Sequence, residues 1–172
     1  MKPTLRIIVP FVLLGVALAT WHMTRPATPV LVADTVTSPV PAGFVRVARV
    51  IDGDTIEIAD GERVRYLGMD TPETVNPKKP VQCYGPEASA RNHALLDGQS
   101  VRLVRDVEDT DMYGRLLRYV YLPDGTFVNM VLVAEGYARV YTWPPNIAHT
   151  REFQAAQAQA KAAGLGLWGA CQ

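Results

Sequence analysis

FVRVARVIDGDTIEIADGERVRYLGM (44–69) decides the fold. Apolar and polar residues alternate through 44–51, 55–59 and 63–69, the period of a strand with one face buried. Asp60-Gly61, a dipeptide suited to a tight hairpin, joins the second run to the third. Between the first and second runs stands Val50-Ile51-Asp52-Gly53-Asp54-Thr55, two acids and a glycine inside strand-forming sequence. Aspartate and glycine lack the branched or aromatic bulk that packs on a pleated surface, so a turn or bulge is expected here.

Working outward, SVRLVRD (100–106) and RLLRYVYL (115–122) are two further strands, the latter closed by Pro123-Asp124-Gly125. Helices are expected over 86–98, 128–136 and 151–164, the first with Pro86 in its opening turn, each stopped by a glycine. Five short strands with helices between and after them predict an α+β fold. The best candidate is a five-stranded Greek-key barrel of the oligonucleotide-binding (OB) kind with three helices.

Upstream the composition changes. Lys2 and Arg6 precede IIVPFVLLGVALA (7–19), a charge-free run of 13 residues. That length suits the core of a signal peptide and falls short of the roughly 20 residues needed to span a bilayer. Ala17-Leu18-Ala19 offers the small-x-small pattern of a cleavage site, and a retained anchor extending to Met23 is the alternative. Either way residues 1–23 export the rest: secreted, periplasmic, or tethered outside the cytoplasmic membrane. Residues 24–43, rich in proline and threonine, read as an extended linker. Residues 44–172 are then the functional domain, expected to be a monomer. In an oxidising compartment the even pair Cys83 and Cys171 favours a disulfide over two free thiols. Two cysteines alone cannot make a structural zinc site.

The chain is 48% hydrophobic and 20% charged, with a formal net charge of zero. That excludes disorder throughout and a strongly basic nucleic-acid sponge, while leaving room for a local basic site. Three clusters carry polar groups suited to chemistry: Asp52-Gly53-Asp54-Thr55, RYLGMDTPET (65–74) and DTDMYGR (109–115). Hydrolysing a phosphodiester needs a positioned water, a base for it, and positive charge on the phosphoryl oxygens. A hard cation held by carboxylates and carbonyls supplies part of that charge, and arginines grip phosphate in a planar, bidentate way. Asp54, Asp70, Glu73, Arg65 and Arg115 make such a kit if the strands bring them together. An EF-hand is excluded: counted from Asp52, positions 5 and 6 are Ile56 and Glu57; counted from Asp109, position 12 is Val120.

VIDGDT (50–55), R-x-x-x-x-DTPET (65–74), PKK (77–79), YGPEAS (84–89) and D-x-YGR (111–115) resemble the thermonucleases, the staphylococcal nuclease family. VNMVLVAEGYARV (128–140), N-x-x-H (146–149) and AQAKAAGLGLW (158–168) continue the resemblance in order, so it covers residues 44–168. It implies an OB barrel with three helices and a Ca²⁺-dependent enzyme that cuts DNA and RNA, leaving 3′-phosphate ends. By the same resemblance Asp54, Asp70 and the Thr71 carbonyl would hold calcium, with Asp52 behind them orienting a metal-bound water. Gly53 would let the backbone bend so that both acids reach the metal. Glu73 would be the general base, and Arg65 and Arg115 would hold the scissile phosphate.

Departures accompany the likeness. Met112 stands where the family has a lysine, which removes a contact to a terminal phosphate. YTWPPN (141–146) offers Tyr141 and Trp143 where the family has tyrosines. Tyr113 remains as a wall for a base, and Lys78 and Lys79 keep a basic loop beside the site. Residues 44–172 hold 14 basic and 16 acidic groups, net −2, so nucleic-acid binding is expected to lean on calcium. His93 and His149 read as surface or capping residues, Trp168 as core packing, and Arg91-Asn92-His93 as a solvated helix face. The leading expectation is a nuclease; a catalytically silent OB module that only binds nucleic acid is the competing one.

Overall fold

The computed structural model describes residues 40–171. The expected export segment, 1–23, and most of the expected linker, 24–43, lie outside the described residues. The three runs that open the domain form the meander their alternation predicts: β1 (Val45–Val50), β2 (Thr55–Ile58) and β3 (Arg63–Tyr66) pair antiparallel in succession. The inward residues Ile56 and Val64 are wholly buried, while the outward Glu57 pairs with Arg49 at 2.7 Å. Of the turn or bulge expected near 52–54 the structure has the turn, and a separate bulge lies inside β1 between Val47 and Arg49. VIDGDT is the hairpin connection itself, with the N–H groups of Ile51 and Asp52 donating to the Thr55 carbonyl.

β3 does not run to residue 69 as its alternation suggests. It ends at Tyr66, and Gly68 turns the chain with φ +79°. β4 (Met69–Asp70) then pairs with β7 (Arg139–Val140), apart from the barrel. Two things force the break. A Cβ on Gly68 would lie 2.3 Å from the ring of Phe153, a fully buried residue of α3 (Thr150–Ala162). The turn is also claimed by Asn129 of α2 (Val128–Ala134): its Nδ2 donates to the Leu67 carbonyl at 3.0 Å and its Oδ1 accepts the Val120 N–H at 2.9 Å.

β3 pairs parallel with β6 (Leu116–Tyr121), β6 antiparallel with β5 (Ser100–Val104), and β5 with β1, closing a five-stranded OB barrel. Closure leaves these strands no free edge and a dry interior of Val47, Ile56, Val64, Val101 and Val120. α1 (Gly85–Leu96), α2 and α3 each stop two residues before the glycine that was expected to end them. A fourth, four-residue helix α4 (Leu167–Ala170), not foreseen, seats Leu167 at 1% exposure. Leu167 thus takes the core place expected for Trp168, whose half-buried ring lies between the Arg139 guanidinium and the Lys161 ammonium. Cys83 and Cys171 form a disulfide.

Gly68→Ala should cost roughly 2–4 kcal/mol, because the left-handed backbone and the Phe153 ring both resist a methyl group. Urea unfolding followed by circular dichroism measures this, and a loss below about 0.5 kcal/mol, the usual surface effect, would refute the packing argument.

Candidate active site

Asp54, at the end of the β1–β2 turn, is 6% exposed. A carboxylate so removed from water needs donors on both oxygens. Its Oδ2 accepts the N–H and the hydroxyl of Thr71, each at 2.9 Å, and its Oδ1 accepts the Thr55 hydroxyl at 3.1 Å. Asp52 Oδ1 accepts the Asp54 N–H at 3.0 Å, which fixes both acids on one bend. Gly53 between them is required by space, not by the bend first inferred. Its φ is not in the left-handed region, and a Cβ there would come within 2.6 Å of Thr71 Oγ1.

Arg65 leaves β3 pointing at this turn, its side chain only 13% exposed. Nη1 donates to the carbonyls of Tyr66 and Met69, both at 2.9 Å, which the chain reversal after β3 brings together. Nη2 donates to Asp70 Oδ1, and Nε faces Asp54 Oδ1 at 3.3 Å. A single guanidinium thus spans Asp54 and Asp70 while Asp52 stands alongside, leaving three acids for one cation. Burial, then the neighbouring Asp54 charge, pushes the Asp52 carboxyl up to about 6. Asp70 is raised too, by desolvation against the opposing pull of Arg65.

Glu73 lies further along the same loop. Its Oε1 accepts the N–H groups of Thr74, Val75 and Asn76 at 3.0, 3.0 and 3.1 Å, so the carboxylate caps its own loop. Arg115, entering β6, is held by Asp111: Nε and Nη2 each lie 2.8 Å from Oδ2. Burial raises the Asp111 carboxyl, but hydrogen bonds from the N–H and guanidinium of Arg115 and from the Tyr113 N–H outweigh it, leaving the group below its usual value. The Arg115 guanidinium also sits 5.6 Å from the centre of the Tyr113 ring.

One open groove of about 1270 Å³ is walled by Asp52, Asp54, Arg65, Asp70, Thr71, Glu73, Lys79, Tyr113, Arg115, Tyr141 and Trp143. Tyr141 and Trp143 stand nearly parallel, 21° apart with centres at 6.3 Å, and both are about half exposed. Lys78 is not among the walls; its N–H is turned to Asn76 Oδ1. Met112, 87% exposed, presents a thioether at the lip where a cation was expected to be missing.

Three residues of the site were not foreseen. Asn92, read as part of a solvated face, is completely buried: Oδ1 accepts the Tyr66 hydroxyl at 3.0 Å and Nδ2 donates to the Asp52 carbonyl at 2.8 Å. The signal lay in its spacing, since Ala88, Asn92 and Leu96 form one i, i+4 stripe along α1. Arg91, beside it, pairs with Glu135 through two hydrogen bonds of 2.7 and 2.8 Å. Gln82 carried no pattern that marked it, and Asp111, the first residue of D-x-YGR, was quoted in a motif without being given a role. Both histidines fit the expectation: His93 meets Asp97 one turn on at 3.0 Å, and His149, partly exposed, is the N-cap residue of α3, with its ring edge-on to Tyr119 at 4.6 Å and making no cap hydrogen bond.

Among the described residues no three His, Cys, Asp or Glu side chains gather into a metal cage. The Asp54 and Asp70 carboxylates line the groove together with Thr71. An all-oxygen set with an excess of negative charge suits a hard cation that keeps several waters.

A closed OB barrel with acids and arginines on one groove defines a class of small nucleic-acid-handling proteins. The chain belongs to the staphylococcal nuclease family: the model described as staphylococcal nuclease homologue matches residues 63–170. It is 50% identical over 125 residues to a thermonuclease of Staphylococcus intermedius, covering 71% of this chain and 74% of that protein. It is 44% identical over 126 residues to a thermonuclease of Staphylococcus hyicus, covering 72% and 74%. Against the endonuclease YncB of Bacillus subtilis it is 44% identical over 129 residues, covering 72% of this chain and 61% of that protein.

Two outcomes test the electrostatics. Arg65→Ala should cost about 3 kcal/mol in urea unfolding, because it strips the buried Asp54 of its counter-charge; an unchanged midpoint would contradict this. In the folded protein Asp52 titrates near 6, above its ordinary 3.8, so between those values the folded state holds a proton the unfolded state has lost. Without divalent cations, the Asp52 contribution therefore makes stability fall as pH rises from about 4 to about 6 and level off above. Subtracting the pH profile of Asp52→Asn from that of the parent isolates the slope, and parallel profiles would show it does not exist.

Proposed function

We propose that the protein is an exported, calcium-dependent nuclease that hydrolyses phosphodiester bonds of DNA and RNA with little sugar or sequence preference and leaves 3′-phosphate ends. The observation that carries this reading is one groove with Arg65 bridging Asp54 and Asp70 on one wall and Glu73 and Arg115 nearby. A silent binding module has no chemical need for a base and two arginines around a carboxylate pair. The names borne by the relatives, thermonuclease and endonuclease, point to the same chemistry.

In this reading Asp54, Asp70 and the Thr71 carbonyl would hold calcium, which when bound supplies positive charge to the phosphoryl oxygens and a place for water. Asp52 keeps the turn that carries Asp54 in shape through the Asp54 N–H. The Glu73 carboxylate takes a proton from the attacking water as its oxygen bonds to phosphorus. Arg115 and Arg65 offset the charge that builds on the phosphoryl oxygens. The bond from phosphorus to the 5′ oxygen breaks, and that oxygen is protonated from solvent. Lys79, with Lys78 behind it, adds positive potential, and Tyr113, Tyr141 and Trp143 offer faces on which bases stack without regard to sequence. Residues 1–23 would direct export as a cleaved signal or retained anchor, 24–43 would be the spacer and 44–172 a monomeric catalytic domain.

Incubating the purified domain with denatured DNA and calcium tests the reading. Degradation should stop on adding a chelator. Glu73→Gln should lower kcat about 10²–10³-fold, and Arg115→Lys should lower it by a similar order, since lysine cannot grip phosphate in two places. DNA left intact in excess calcium would sink the proposal. With a domain charge of −2, binding of single-stranded DNA without calcium should be weak at moderate salt. Fluorescence anisotropy of a labelled oligonucleotide checks this, and tight calcium-free binding would count against it.

A further inference from the structure

Resting on the nuclease reading, a second question is what keeps Glu73 in place. Among the described residues, the donors to its Oε1 are the N–H groups of the three residues that follow it. The carboxylate therefore goes where the backbone of 73–76 goes. Gln82 grips the Glu73 end of that backbone twice, since the Glu73 N–H donates to Gln82 Oε1 at 2.9 Å and the Glu73 carbonyl accepts the Gln82 N–H at 2.9 Å. At the other end the Asn76 carbonyl accepts the Lys79 N–H at 3.0 Å. Gln82 also lines the groove, and its carbonyl accepts the Gly85 N–H at 3.0 Å at the start of α1.

The next residue is Cys83, bonded to Cys171 immediately after α4, the helix seated by Leu167. Hydrogen bonds in an exposed loop, worth about 1 kcal/mol net each, open locally far more often than a domain unfolds. A covalent link does not open. We propose that Gln82 is the positioning residue for Glu73 and that the Cys83–Cys171 bridge anchors it, so that the bridge serves catalysis and not stability alone. The path runs Glu73, Gln82, Cys83, Cys171, Leu167 and the core, and it joins the base to the end of the domain remote from it in sequence.

The test pairs kinetics with amide exchange, in the parent, Cys83→Ser/Cys171→Ser, Gln82→Met and Gln82→Glu. In the bridge-free protein and in Gln82→Met, kcat on denatured DNA with calcium should fall about 10-fold with KM within about twofold, the signature of a displaced base. Gln82→Glu keeps an acceptor for the Glu73 N–H and should restore most of kcat. Exchange at the Thr74, Val75 and Asn76 amides should quicken about 10-fold while Val64 and Val120 in the barrel hold their protection. In a Glu73→Gln background, removing the bridge should cost no further activity. Reduction of the parent by a dithiol, which turns the bridge into two thiols and oxidises the reagent, should reproduce the bridge-free values. Unchanged exchange at 74–76 overturns the clamp whatever the activity, and faster exchange with unchanged kcat overturns its part in the reaction. A parent that cuts nothing overturns the nuclease reading instead, and the exchange arm still decides the clamp.

Discussion

The guanidinium of Arg65 is the point on which the site depends. It is nearly buried, and it meets four partners: two carbonyls of the turn after β3, one carboxylate from the β1–β2 hairpin and one from β4. A buried positive charge is tolerated only when its partners are placed well, so the arginine dictates where Asp54, Met69 and Asp70 must lie. The turn that Phe153 and Asn129 impose after β3 brings the Tyr66 and Met69 carbonyls within its reach. Because one guanidinium faces three acids, the cluster remains short of positive charge. That shortage is one an added hard cation would fill.

Around this centre the support is layered outward through polar side chains that are themselves buried. Asn92 reaches from α1 to the Asp52 carbonyl, and Asn129 reaches from α2 to the Leu67 carbonyl. Each helix therefore does more than cover the barrel, since it also holds one of the two turns that present the acids. An amide is well suited to this task, because it donates and accepts at once and carries no charge to disturb the carboxylates. Glu73 is the exception, held by its own loop and by Gln82 instead of by a helix.

Much of this was legible in the sequence where short-range rules decide. Alternation and turn residues located β1, β2, β5 and β6, and each helix stop fell two residues short of its glycine. Arg65, Glu73 and Arg115 do line the same groove as Asp54 and Asp70. What was not legible depends on contacts distant in sequence. Alternation continues through Arg63–Met69, yet the strand breaks at Gly68 because Phe153, far along the chain, occupies the space. Gly53 looked like a hinge and is a gap left for Thr71. Asn92 looked solvated because asparagine usually is, although its place on the Ala88–Leu96 stripe argued otherwise. Trp168 was misplaced for the same reason: residue type was weighed where packing decided.

The parallel seam between β3 and β6 has a consequence for the living cell. Arg65 sits opposite Leu117 across that seam, and Arg115 enters it one residue before Leu116. Glu73 and the acids come from the first half of the domain, but the second arginine is translated only after β5. A ribosome-bound chain that has not yet released β6 can therefore contain every acid of the site and still have no complete groove. For a protein proposed to degrade nucleic acid, a topology that withholds the finished site until the barrel closes is a safeguard for the cell that makes it.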